Sequence, residues 1–217
     1  MTFSPVLEKE TYSSKIATII RTMIRDGELQ PGEPIKETVL GERLSVSRAP
    51  IREALQELAY EGIVTSEPQK GKRVRLLSDK DIVDSYTVGG ILESVGVSDS
   101  LAKWTDGDSQ ELAEIVDEMR QRSKSAADTG ALMELDDQFH SVLLRHCDNG
   151  RLVEMARLSC ITISKVLGYK KWRTLFSPSD FCQRHEALAR VVATRNAEVI
   201  ARALREHYLE IGERMVR

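Results

Sequence analysis

A chain of 217 residues is long enough for one large domain or two small ones, and its formal net charge of −3 argues against a protein that coats nucleic acid by bulk attraction, while leaving room for binding through one face. The apolar and charged fractions, 41% and 30%, are ordinary for a soluble protein, and no apolar run approaches the ~18 residues of a membrane span. Three cysteines, Cys147, Cys160 and Cys182, form no close pair and leave an odd count, which reads as reduced thiols rather than disulfides or zinc ligands. The opening residues, MTFSPVLEKETYSSK, have neither the basic region nor the apolar region of a signal peptide, so the expected location is the cytoplasm.

Up to Ser78 there are 12 Lys plus Arg against 11 Asp plus Glu, and beyond it 19 against 23, a weak asymmetry toward a basic first part. Residues 1 to 11 lack apolar periodicity and read as a flexible arm. From Tyr12 to Asp26, Ile16, Ile19, Ile20, Met23 and Ile24 recur at helical spacing, and Gly27 supplies the stop. Glu28 to Pro34 holds a Pro-Gly pair and a second proline, hence a loop. A short helix over Glu37 to Leu44 places Val39, Leu40 and Leu44 on one side.

The next helix is the most completely specified. Ser47 is its capping residue, with a hydroxyl able to accept from a free first-turn amide, and Pro50 falls in the first turn, where its missing amide hydrogen costs least. Ile51, Ala54, Leu55 and Leu58 form a buried stripe, Gly62 ends the helix, and Arg48 and Arg52 are left exposed one turn apart near its start. Ile63 to Thr65 and Val74 to Leu76 are strand-forming around a basic segment containing Gly71, so a two-stranded hairpin follows. Three helices and a hairpin make a winged helix-turn-helix over residues 1 to 78.

Leu29, Pro31-Gly32, Leu44, Val46-Ser47-Arg48, Pro50 to Leu55, Leu58, Glu61-Gly62 and Gly71 resemble the N-terminal DNA-binding domain of GntR-family transcription regulators. The resemblance implies that Ser47 to Glu61 is the recognition helix, that Ser47, Arg48 and Arg52 contact the major groove of double-stranded operator DNA, and that Lys70 and Gly71 belong to the wing. The chemistry agrees, because an arginine fork can bond bidentately to guanine and a helix N-terminus favours phosphate. An isolated arginine pair would read as a solvated helix end, with Glu53 or Glu57 as an ion-pair partner. Here the surrounding pattern makes that end the presented one. Thr38 stands where the FadR regulator of this family has a DNA-contacting arginine, so that contact is not carried over.

Residues 79 to 217 show no strand alternation of any length. Helical patterns run over Asp79–Lys103, Ser109–Ala127, Gly130–His146, Arg151–Leu167, Pro178–Thr194 and Asn196–Val216, predicting an all-α second domain and a mainly α protein. Gly89-Gly90 and Gly96 are unfavourable in a helix interior by about 1 kcal/mol each, which predicts a bend or break in the first of these helices.

Asp136 and His140 lie one turn apart on one helix, and His185 and His207 lie 22 residues apart around a turn at Thr194-Arg195-Asn196. If the last two helices fold back at Asn196, His185 and His207 come level, and a third helix bringing Asp136 and His140 against them completes a divalent metal site for zinc, nickel or a similar ion. Taken singly, each histidine is more often a core or surface residue than a ligand. Asp136 to His140, His185 and His207 are similar to the metal-binding pattern of the FCD ligand domain that accompanies the winged helix in the FadR-type subfamily. His146 faces away from His140 and is left out. Where that subfamily commonly has an arginine four residues before the glutamate of its first effector-domain helix, this chain has Gly89 before Glu93.

The expectation is a homodimeric transcription regulator whose operator binding responds to a small carboxylic acid bound near the metal. Two readings compete with it: a regulator in which the metal only stabilises the fold, and a metal-dependent enzyme. The enzyme lacks support, because no HExxH-type base accompanies the ligands.

Overall fold

A computed structural model describes residues 11–67 and 71–217, and the chain divides into two compact units, one ending at Leu76 and the other running from Leu77 to Arg217. The expected arm up to residue 10 and the wing residue Lys70 lie outside the described residues. Leu77 packs against the second core, which sets the division two residues before the polar Ser78-Asp79 boundary.

The first unit holds α1 (Tyr12–Asp26), β1 (Pro34–Ile35), α2 (Glu37–Leu44), α3 (Arg48–Tyr60), β2 (Val64–Glu67) and β3 (Gly71–Val74). Thr11 caps α1 by accepting from the Ser14 amide, and Gly27, with φ +81°, ends it. Ile16, Ile20 and Ile24 of α1 meet the buried Ile51, Leu55 and Leu58 of α3 in one core, joined at its edge by Arg21, which binds Glu57 at 2.7 Å and Glu61 at 2.5 Å. Two apolar positions depart from the expected stripes: Ile19 and Val39 are exposed, and Ala17 takes the place beside Ile16. The segment expected to be loop up to Pro34 ends as a short strand. Pro34 and Ile35 pair antiparallel with Arg73 and Lys72, giving a three-stranded sheet of order β1-β3-β2. Two residues are too few for any alternation to show, and Pro34 at an edge loses no ladder bond.

The second unit is helical: α4 (Asp79–Ser100), α5 (Asp106–Ser123), α6 (Met133–Leu143), α7 (Gly150–Thr162), α8 (Tyr169–Trp172), α9 (Pro178–Ala193) and α10 (Ala197–Val216). Short 3-10 turns precede α5 and α6, and a π turn, Ile163–Leu167, continues α7. Capping boxes set two starts, Ser78 with Asp81 for α4 and Thr105 with Asp108 for α5, so α5 begins three residues before the expected Ser109. The expected bend in α4 does not occur. The helix is continuous because its glycines are where neighbours come close: a Cβ at Gly90 would sit 2.9 Å from Tyr208 Cβ and 3.3 Å from Arg205 Cα, and one at Gly96 2.8 Å from Leu144. The conformational cost of glycine is offset by the packing of α10 and α7 onto that face. All three cysteines are free thiols. Among the described residues no helix is long and apolar enough to cross a membrane.

Candidate DNA-reading helix and metal centre

In the first unit Ser47 has the extended backbone of a capping residue, but its hydroxyl makes no capping bond. That corrects the sequence reading: the turn is fixed instead by Ser45, in the left-handed region at φ 55°, and by the Val46 amide donating to the Gly41 carbonyl at 2.9 Å. Ser47 and Arg48 are exposed beside Thr38 along the shallow groove between α2 and α3. Arg52 is exposed too, and bridges to Glu37 of α2 at 3.1 Å rather than to Glu53 or Glu57. Glu57 is instead held by Arg21. Gly71, at φ +79° with nothing within 4 Å of a built Cβ, starts β3 at the hairpin tip. Lys72 and Arg73 turn inward, donating to the carbonyls of Leu55 (3.4 Å) and Gly32 (2.9 Å).

In the second unit the turn between α9 and α10 falls where the spacing placed it. Arg195 adopts φ 55°, and the Asn196 side chain caps α10 by accepting from the Val199 amide at 3.2 Å. His185 and His207 are thereby brought to 5.3 Å between ring centroids, and His140 of α6 lies 5.9 and 5.6 Å from them. One nitrogen from each ring falls within 4.8 Å of the others. Nitrogens bound to one zinc ion at ~2.0–2.1 Å in tetrahedral geometry lie about 3.4 Å apart, so the rings would have to draw together by up to about an ångström each to close on one ion. Asp136 lies against two of the three: its Oδ1 is 3.0 Å from His185 Nε2 and 3.7 Å from His140 Nε2.

The rings are oriented from behind. His185 Nδ1 donates to the Phe181 carbonyl one turn earlier at 2.8 Å, and His140 Nδ1 donates to the Glu93 carboxylate at 2.9 and 3.0 Å. Since those partners only accept, both Nε2 atoms are left facing the Asp136 oxygen, where a cation satisfies both sides. Arg184 holds His207 by donating to its backbone carbonyl at 3.0 Å. Burial, then the nearby His185, Arg184 and His140, push His207 well below its ordinary pKa, so this ring is neutral and can ligate. Burial pulls His140 down, but the buried Glu93 and then Asp136 outweigh it and raise it to about 9. For Asp136, burial raises the carboxyl, while the His185 bond and the charges of His140, His185 and Lys165 bring it below its usual value. The three imidazoles are thus a group that could hold a divalent metal ion once His140 gives up its proton, with Asp136 beside two of them.

Glu93 was not singled out as a site residue by sequence reasoning. It had one signal: Gly89, Gly90, Glu93 and Gly96 share a face of α4, and a lone carboxylate on a face of glycines is buried at a close contact. His146 is separate from the cluster, bonding Asp108 at 3.0 Å. Gly89 has no room for a longer side chain, because a Cβ there would lie 2.6 Å from Cys160 Sγ. A cavity of about 230 Å³ adjoins the cluster, lined among others by Asp136, His140, His207, Tyr208, Arg157 and Lys165.

These two units define a winged-helix DNA-binding protein that carries a separate all-helical domain. The sequence pattern of the bacterial regulatory proteins of the gntR family matches residues 12–74, and that of the FCD domain matches residues 84–210. The chain is 30% identical over 179 residues, 82% of each chain, to the Nta operon transcriptional regulator of Aminobacter aminovorans. It is 25% identical over 201 residues to the HTH-type transcriptional repressor RspR of Escherichia coli (strain K12), spanning 93% of this chain and 87% of the relative. The solved structure of E. coli McbR/YncC shares the fold, with a TM-score of 0.69 over 92% of this chain and 94% of that one at 18% identity. The chain belongs to the GntR family of bacterial regulatory proteins, with an FCD domain as its second unit, and is a DNA-binding transcription regulator, not an enzyme.

Proposed function

We propose that this regulator binds operator DNA as a homodimer in the cytoplasm, and that a small carboxylic acid, held at a zinc or nickel ion in the second domain, modulates that binding. The observation that carries the reading is the histidine cluster itself: three imidazoles converge beside a cavity with Asp136 against two of them, and two of the rings are held from behind by acceptors. Four protein ligands leave one or two positions open in five- or six-coordinate geometry, and a carboxylate oxygen can fill them. Ser47, Arg48 and Arg52 would face the major groove, with Gly71 and Lys70 in the wing beside the phosphates. A two-fold dimer would present two such helices to two half-sites.

The test is His185→Ala. Bound zinc falls from about one per chain to near none, and the change in operator affinity on adding a carboxylic acid disappears with it. A variant that keeps both metal and response sinks the proposal. A variant that loses metal and melts lower, but keeps its response to the acid, makes the metal a structural element alone.

A further inference from the structure

Helix α6 packs chiefly on α5, and α7 chiefly on α4, so the cavity beside the histidines lies in the space between α6 and α7. Two side-chain bridges cross that space. Arg157 of α7 donates to Ser141 Oγ of α6 at 3.3 Å, and Lys165 of the π turn ion-pairs with Asp137, one turn before Ser141 on α6. Lys165 owes its place to the π turn, whose extra residue per turn brings Ser164 and Lys165 to the cavity wall, a use typical of such turns at binding sites. The Lys165 side chain is only 14% exposed, whereas Asp137 is 49% exposed and free to swing toward solvent. Arg157 has a hydroxyl partner but no carboxylate within ion-pairing distance among the described residues. On the same wall the Tyr86 hydroxyl is buried and makes no close hydrogen bond among the described residues, the Ser164 side chain being the polar group beside it.

Charge decides what this arrangement suits. Asp136 and Glu93 together offset a divalent cation, and Asp137 offsets Lys165, which leaves the Arg157 guanidinium as the uncompensated charge on the cavity wall. A monocarboxylate held by the metal leaves it so. An acid with a second carboxylate meets a planar donor fork and an ammonium that can exchange Asp137 for it. The cavity, at about 230 Å³, is smaller than the ~300–1,000 Å³ of sites for drug-sized ligands, so the acid is a short one. We propose that the effector is a small dicarboxylic acid, one carboxylate on the metal and the other between Arg157 and Lys165, with Tyr86 donating to a ligand oxygen. This assignment rests on the metal-centred reading above.

The experiment compares two acids on the zinc-loaded full-length protein by calorimetry: malate, and 2-hydroxybutyrate, in which a methyl group replaces the second carboxylate. Zinc content is measured after each titration. Malate binds at least tenfold tighter to the wild-type protein, and Arg157→Met and Lys165→Met each remove most of that preference while leaving zinc content and 2-hydroxybutyrate affinity unchanged. Equal affinity of the wild-type protein for the two acids, or a preference that survives both substitutions, overturns the dicarboxylate site and leaves the metal-centred reading standing. Binding of neither acid to protein that retains its zinc overturns both.

Discussion

Arg48 and Arg52 leave α3 one turn apart but start from different states. Arg48 has no ion-pair partner among the described residues, whereas Arg52 is engaged with Glu37, so on the proposed DNA-reading role that carboxylate must be displaced before the Arg52 fork can reach a base. Arg48→Ala and Arg52→Ala should each weaken operator binding by roughly tenfold to a hundredfold and relax the preference at one base position, read by titration against single-substituted operators. Glu37→Gln should tighten binding in the wild-type background and do less when Arg52 is already Ala, because the gain in excess of lost repulsion passes through that arginine. The arginines were legible in the sequence because exposure follows from a buried stripe whose period is fixed. The Glu37 partner was not: it sits on a different helix, and nothing in linear spacing says how α2 crosses α3. The histidines divide the same way. Asp136 with His140, and His185 with His207, follow from helical period and one turn, but Glu93 reaches His140 from 47 residues away.

Helix α4 shows what one element can hide. Read by propensity its glycines weaken it, while in the fold they let α10 approach, so two substitutions of the same kind should have opposite signs. Gly90→Ala should destabilise the protein by about 1 to 3 kcal/mol, because its methyl meets Tyr208 and the Arg205 backbone. Gly107→Ala, in the first turn of α5 with only an ordinary contact at 3.5 Å to Thr105, should stabilise by about 0.4 to 1 kcal/mol. Denaturant midpoints of the two variants give the comparison. The start of α5 carries a pH signature as well. Burial raises the Asp108 carboxyl, but the hydroxyl and amide of Thr105 and then His146 hold it far below the usual carboxylate range. Its contribution is therefore complete above its unfolded value of about 3.9 and is lost as pH falls toward the lower folded value. Asp108→Ala should cost about 1 to 3 kcal/mol at pH 7, and the difference from wild type should narrow below about pH 4. Six of the seven helices of this unit were legible within a few residues from apolar period; α8, a single turn of four residues, is too short to show one. The π turn after α7 was not legible either, because it inserts one residue into a pattern that otherwise continues to Leu167.

The chain carries two cores, and the proposed metal site belongs to one of them. A ligand of the folded second unit stabilises that unit by about 4 kcal/mol at a free concentration a thousandfold above its dissociation constant. Zinc should therefore raise the melting of the second unit by ten degrees or so, and a chelator should reverse it. Melting of the first unit, followed through its own near-ultraviolet or amide-exchange signals, should stay put. Equal shifts of both would mean that they unfold together. The division into a winged helix and a helical domain was legible from the change of period after Gly62 and the loss of alternation after Ser78. The cavity was not, because its walls come from α4, α6, α7, the π turn and α10, and only packing assembles them.

The glycine face of α4 has one more consequence. Tyr208 and Arg205, which press against Gly90, flank His207, the residue that α10 contributes to the histidine cluster. A side chain between two helices can change rotamer and absorb a displacement, but backbone seated against side-chain roots has no such slack. The seam between α10 and α4 is a stiff joint, so on the proposed function a ligand that drew His207 toward a bound ion would move α4 with it, and α4 begins at Asp79, three residues after the first unit ends at Leu76.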